Sequence, residues 1–79
     1  MSTYEQLNTL FCKVFDDADI KITNETTAND IDGWDSLSHV NLVVSIERHF
    51  KIKFKSSEII RWKNVGQMLV NIDIKLAEK

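Results

Sequence analysis

Apolar residues recur at helical spacing in three parts of the chain. Leu7, Leu10, Phe11 and Val14 follow Ser2-Thr3-Tyr4-Glu5, a capping-box spacing, and predict a first helix from Thr3 to Phe15. Residues 16–35 are rich in Asp, Asn and Thr, with only Ile20, Ile22 and Ile31 to pin them, which reads as a long ordered loop. Asp35 is placed to cap a second helix running through Phe50. Leu42, Val43, Ile46 and Phe50 form one apolar stripe on it, and Leu37, Val40 and Val44 form another beside it. So wide an arc predicts a central helix touching two neighbours, with part of the second stripe left for a partner.

Beyond Phe50, Lys51, Lys53 and Lys55 alternate with Ile52 and Phe54, so the apolar residues anchor a connection while the lysines face water. Ser56 is expected to cap a short helical turn through Arg61. Asn64-Val65-Gly66-Gln67 repeats a capping-box-like start, and Val65, Met68, Leu69, Ile72 and Leu76 supply the stripe of a last helix. No segment reads as a strand. The expected fold is all-α: a small four-helix bundle with three main helices, one short helix and a long loop between helices one and two.

Composition narrows the function. With 79 residues the chain forms one domain, 1–79, with too thin a core for a deep catalytic pocket, so binding or carrying is expected rather than catalysis. A single cysteine, Cys12, leaves no internal disulfide and fits a reducing cytoplasm. No apolar run reaches membrane-span length, and Met1 to Leu10 lacks the pattern of a signal peptide. Residues 1–50 carry nine acids and three bases, and residues 51–79 three acids and seven bases, so the halves differ in sign. The second helix has Arg48 as its one base, with Glu47 beside it, which gives few donors for phosphates and argues against nucleic-acid binding.

Several constellations fail on chemistry. Asp30, Asp32 and Gly33 match the middle of a calcium loop, but Ala28 and His39 occupy the positions of the first ligand and the bidentate glutamate. Asp35, Ser36 and His39 do not make a hydrolase triad, because an adjacent aspartate orients an imidazole poorly and no glycine-rich turn supplies an oxyanion hole. His39 and His49, ten residues apart, have no third metal ligand at suitable spacing and read as surface or flanking residues. No metal site is expected.

Asp35-Ser36-Leu37 remains, placing a hydroxyl where a long loop becomes a helix. Followed by Val40, Leu42, Val43, Ile46, Glu47 and Phe50, it resembles the modification site of acyl carrier proteins. The resemblance covers nearly the whole chain, from the first amphipathic helix to the Val65 that opens the fourth. It implies that Ser36, flanked by Asp35 and Leu37, receives 4'-phosphopantetheine covalently from coenzyme A through a magnesium-using phosphopantetheinyl transferase. It also implies a noncatalytic, monomeric, cytoplasmic carrier of acyl or aminoacyl thioesters, serving acyl-loading and acyl-accepting enzymes. Its partner surface would be Leu37, Val40 and Val44, with Asp35 and Glu47 steering by charge. An acyl cleft would involve Ile46, Trp62 and Met68, narrowed by the indole. A helix N-terminus independently suits a phosphodiester at Ser36.

Compared with carriers of bulk fatty-acid synthesis, Ser38, Asn41 and Arg48 stand where acids are common, and Lys51, Arg61 and Lys63 add positive charge. A specialised lipid, polysaccharide or secondary biosynthetic pathway is therefore expected. The alternative is a helical protein–protein adaptor without a prosthetic group, using the same exposed stripe.

Overall fold

The computed structural model describes residues 2–78, so the two end positions of the expected domain lie outside the described residues. Four α-helices follow one another: α1 Thr3–Val14, α2 Ser36–Phe50, α3 Ser56–Ile59 and α4 Val65–Ala77. A single 3-10 turn, Ala28–Asp30, interrupts the long loop, and no strand occurs among the described residues.

Local chemistry sets most helix ends. Ser2 and Glu5 complete the capping box of α1, and Phe15 closes the helix as its C-cap rather than as its last turn. Asp35 caps α2. Lys51 ends it in a left-handed conformation, φ 58°, and donates its amide hydrogen to Glu47 O. The expectation for Ser56 is corrected. Lys55 is the N-cap of α3 and Ser56 its first helical residue, because Glu58 Oε1 reaches back to accept the Lys55 amide at 2.9 Å. Ile60 and Arg61 follow as a turn, and Arg61 and Trp62 donate to Glu58 O at 3.2 Å and Ile59 O at 3.3 Å. Asn64 caps α4 through Gln67 N at 3.0 Å, while the Gln67 side chain accepts from Lys63 one residue upstream of the reciprocal position.

Leu7, Phe11, Ile22, Leu42, Ile46, Val65, Met68 and Ile72 are fully or almost fully buried in one core. α1 packs against both other long helices, and Leu42 and Ile46 of α2 share the same core with Val65, Met68 and Ile72 of α4. The second stripe of α2 faces outward, as expected for a surface left to a partner. Leu37, Val40 and Val44 remain 73%, 57% and 39% exposed, so α2 buries only the Leu42, Val43, Ile46 and Phe50 face.

Polar groups on α1 fasten the loop. Asn8 Oδ1 accepts from Ile22 N at 2.7 Å, its Nδ2 donates to Ile20 O at 3.0 Å, and the Tyr4 hydroxyl donates to Ile22 O. These bonds satisfy backbone groups around the fully buried Ile22, and the loop is thereby held in position to deliver residues 33–35 to the start of α2.

Candidate functional site

The approach to α2 turns at Gly33, whose φ of 84° lies where a Cβ is disfavoured. After that turn Trp34 is directed onto the core and meets Phe11 edge-on, centroids 5.3 Å apart at 82°. Asp35 then adopts an extended N-cap conformation. Its Oδ1 accepts from Ser38 N at 2.9 Å, and its carbonyl accepts from His39 N at 2.8 Å. The hydrogen bonds from Ser38 hold the Asp35 carboxyl below the usual carboxylate range. Ser38 Oγ donates back to Gly33 O at 2.8 Å, closing the turn.

Ser36 is the first residue of α2 and is exposed. Its hydroxyl makes no hydrogen bond among the described residues, in contrast to the engaged hydroxyl of Ser38. It stands at the rim of an open cleft of about 700 Å³, whose walls include Trp34, His39, Val40, Ile59, Trp62 and Met68.

No triad forms here. The Asp35 carboxylate is committed to Ser38, and His39 Nδ1 accepts from Trp34 Nε1 at 3.1 Å, so no base among the described residues is arranged to deprotonate Ser36. No cluster of three or more His, Cys, Asp or Glu suited to a metal occurs among the described residues. An exposed, unengaged hydroxyl at a helix start, beside an open apolar cleft, is instead a reachable acceptor for a group delivered by another enzyme. A phosphodiester there would meet the partial positive charge of the helix terminus, so the donor set fits the expected prosthetic group.

Residues 5–69 match the family model described as phosphopantetheine attachment site. The chain belongs to that family. The solution NMR structure of a holo acyl carrier protein from Geobacter metallireducens is 54% identical, with a TM-score of 0.93, over 99% of this chain and 90% of that one. No curated protein matches the chain. The all-helical architecture is thus that of an acyl carrier protein carrying a phosphopantetheine attachment domain.

Other expected site residues of this carrier domain are distributed as follows. Leu37, Val40 and Val44 face outward, while the Glu47 carboxylate turns to the following connection and accepts from Phe54 N at 2.8 Å. Met68 and Trp62 line the cleft, but Ile46 is fully buried behind it and does not. Trp62 is half-buried, meets Phe54 edge-on at 4.9 Å, and donates from Nε1 to Asn71 Oδ1 at 3.0 Å. Asn71 in turn donates to Glu58 Oε2 at 3.0 Å, and Lys75 pairs with Glu58 Oε1 at 2.9 Å. These partners, with the Lys55 amide first among them, lower the Glu58 carboxyl to about 2.

Sequence reasoning weighed His39 with Ser36 but set it aside as a surface or flanking residue, and it did not single out Asn71. His39 is half-buried in the cleft wall rather than a surface residue, stacked on Trp34 and edge-on to Trp62. The available signal was its i+3 spacing from Ser36, which places both on one side of α2. Asn71 carries no local signal, since its role depends on a residue from another segment.

Proposed function

We propose that Ser36 accepts 4'-phosphopantetheine from coenzyme A and that the protein carries acyl groups without catalysing their chemistry. The observation that carries this reading is the exposed and unengaged Ser36 hydroxyl at the first position of α2, within a chain of the phosphopantetheine attachment family. When bound, the group supplies a thiol on which an acyl group is held as an activated thioester. Asp35 fixes the first turn of α2, Gly33 provides the bend before it, and Ser38 ties the two together. Removal of the Ser36 proton falls to the transferase, because the neighbouring carboxylate and imidazole are occupied.

Leu37, Val40 and Val44 form the surface met by the transferase and by acyl-loading and acyl-accepting enzymes, with the exposed Asp35 adding charge. Glu47 contributes less than its position in the helix suggests, since its carboxylate is held by Phe54 N. The sparse acidity of α2 supports service in a specialised pathway, and the pinned indole of Trp62 supports a short cargo. The chain acts as a cytoplasmic monomer in this reading. No helix among the described residues is long and apolar enough to cross a membrane.

The experiment is incubation with coenzyme A, magnesium and a broad-specificity phosphopantetheinyl transferase, followed by intact mass and then by loading with an acyl donor. Gain of one arm and of a thioester-linked acyl group supports the reading. A folded chain that stays unmodified with an active transferase favours the adaptor alternative.

A further inference from the structure

The wall of the cleft beside Ser36 includes the His39 imidazole, one of whose ring nitrogens is engaged by a neighbouring side chain. Trp34 Nε1 can only donate, and it gives its hydrogen to His39 Nδ1 at 3.1 Å. Nδ1 is therefore the acceptor nitrogen, and the neutral ring carries its proton on Nε2. The two rings lie nearly parallel, at 18° with centroids 6.0 Å apart, and Trp62 meets the imidazole at 71° and 6.1 Å. Burial pushes the His39 pKa below the ordinary histidine value, which reinforces the neutral form.

The Nε2–H donor has no partner among the described residues, although the ring is half-buried and forms part of the cleft wall. No side-chain nitrogen or oxygen among the described residues is both buried and unpartnered, so this donor is open to the cleft and available to an acceptor that enters it. Ser36 and His39 are three residues apart on α2 and line the same cleft, so a group tethered to Ser36 begins within a helical turn of this donor.

We propose that His39 is a fixed, neutral hydrogen-bond donor that holds a carbonyl oxygen of the tethered group in the cleft, with Trp34 as the positioning residue that sets its tautomer. This rests on the carrier reading of Ser36. The required chemistry is a carbonyl acceptor, which the amides of a phosphopantetheine arm and the carbonyl of its thioester both present. Trp34 and Trp62 flank the imidazole and limit its swing. The consequence is an arm that docks on its own carrier between encounters instead of moving freely.

The test uses the full chain, isotopically labelled, in apo, phosphopantetheinylated and acetylated forms, with intact mass confirming each state. NMR then follows the His39 ring nitrogens and Hε2 together with both indole N–H groups. The expected apo spectrum shows the Nε2–H tautomer. On modification Hε2 moves downfield and exchanges more slowly with water. A change already present in the phosphopantetheinylated form assigns an amide carbonyl as the acceptor, and a change appearing only after acetylation assigns the thioester carbonyl. Trp34→Phe is expected to give mixed His39 tautomers and a smaller response on a still-folded bundle. An arm attached by mass with His39 and both indoles unmoved in both forms overturns the inference while leaving the carrier reading intact. Failure of any arm to attach overturns the carrier reading and this inference with it.

Discussion

Gly66 donates its amide hydrogen to the carbonyl of Asn24 at 2.9 Å, and a Cβ on Gly66 would stand 2.8 Å from that same oxygen. Val65 makes the neighbouring bond to Thr26 O, also at 2.9 Å. Two amides at the start of α4, which no helical carbonyl can serve, are thus satisfied by the loop that leads to Ser36.

Gly66→Ala is therefore expected to destabilise the bundle, although alanine is the better helix former. The propensity gain is about 1 kcal/mol, and crowding a backbone oxygen that cannot swing away costs about 1–3 kcal/mol. Urea denaturation should show a lower midpoint with little change in slope. A midpoint equal to or above that of the wild type contradicts this role for the loop.

His39 gives a pH dependence with a defined sign. Its folded-state pKa is lowered by burial from the ordinary 6.5, so the unfolded chain binds the proton more readily. Stability from this group is fully present above about 6.5 and declines as pH falls toward the lower folded-state value. Asp35 and Lys63, the charged groups lining the same cleft, do not pair with the ring. His39→Gln should flatten the decline in thermal-unfolding profiles, and an unchanged slope would count against the burial argument. Glu5, Asp35 and Glu58 act in a separate, more acidic window. Their pKa values are lowered, so the stability they provide is present above the ordinary carboxylate range and is lost as pH falls through the folded values, about 2 for Glu58.

Much of the fold was legible because its signals are local. The Ser2 and Glu5 box, the Asp35 cap and the stripes of α1, α2 and α4 each lie within a few residues of one another. The position of Ser36 at the start of α2 was legible for the same reason, from its place between a cap and an amphipathic helix. What escaped joins distant segments: Asn8 to Ile22, Gly66 to Asn24, Trp62 to Asn71. The breadth of the α2 arc signalled both a buried face and an exposed one, yet pattern alone does not say how many of the second-stripe residues stay exposed. His39 reads as a flanking residue until Trp34 is placed beside it by the Gly33 turn.

The Asn71 bond to Trp62 bears on cargo. Trp62→Ile should enlarge the cleft and let a longer acyl chain perturb Met68 and Val40 by NMR, whereas the wild type should show such shifts only with short chains. Equal responses of the two proteins to a long chain would remove the indole as a limit. Asn71→Ala should produce an intermediate effect, because the indole keeps its bulk but loses its anchor.

Binding to the transferase should depend only weakly on ionic strength. On the proposed surface Leu37, Val40 and Val44 would give apolar contact, and of the two acids expected to steer, Glu47 is tied to Phe54 N. Affinity measured at several salt concentrations should fall along a shallow line. A steep fall that is reduced by Asp35→Asn or Glu47→Gln would show that charge dominates after all.

The most direct measurement separates the two serines at the start of α2. Ser36 is exposed and unengaged, whereas Ser38 is half-buried and bonded to Gly33 O at 2.8 Å. Wild type, Ser36→Ala and Ser38→Ala are each incubated with coenzyme A, magnesium and transferase, with circular dichroism confirming the helices. Intact mass should show one added phosphopantetheine group on the wild type and on Ser38→Ala, and none on Ser36→Ala. An arm on Ser36→Ala, or its loss from a folded Ser38→Ala chain, would contradict Ser36 as the attachment site.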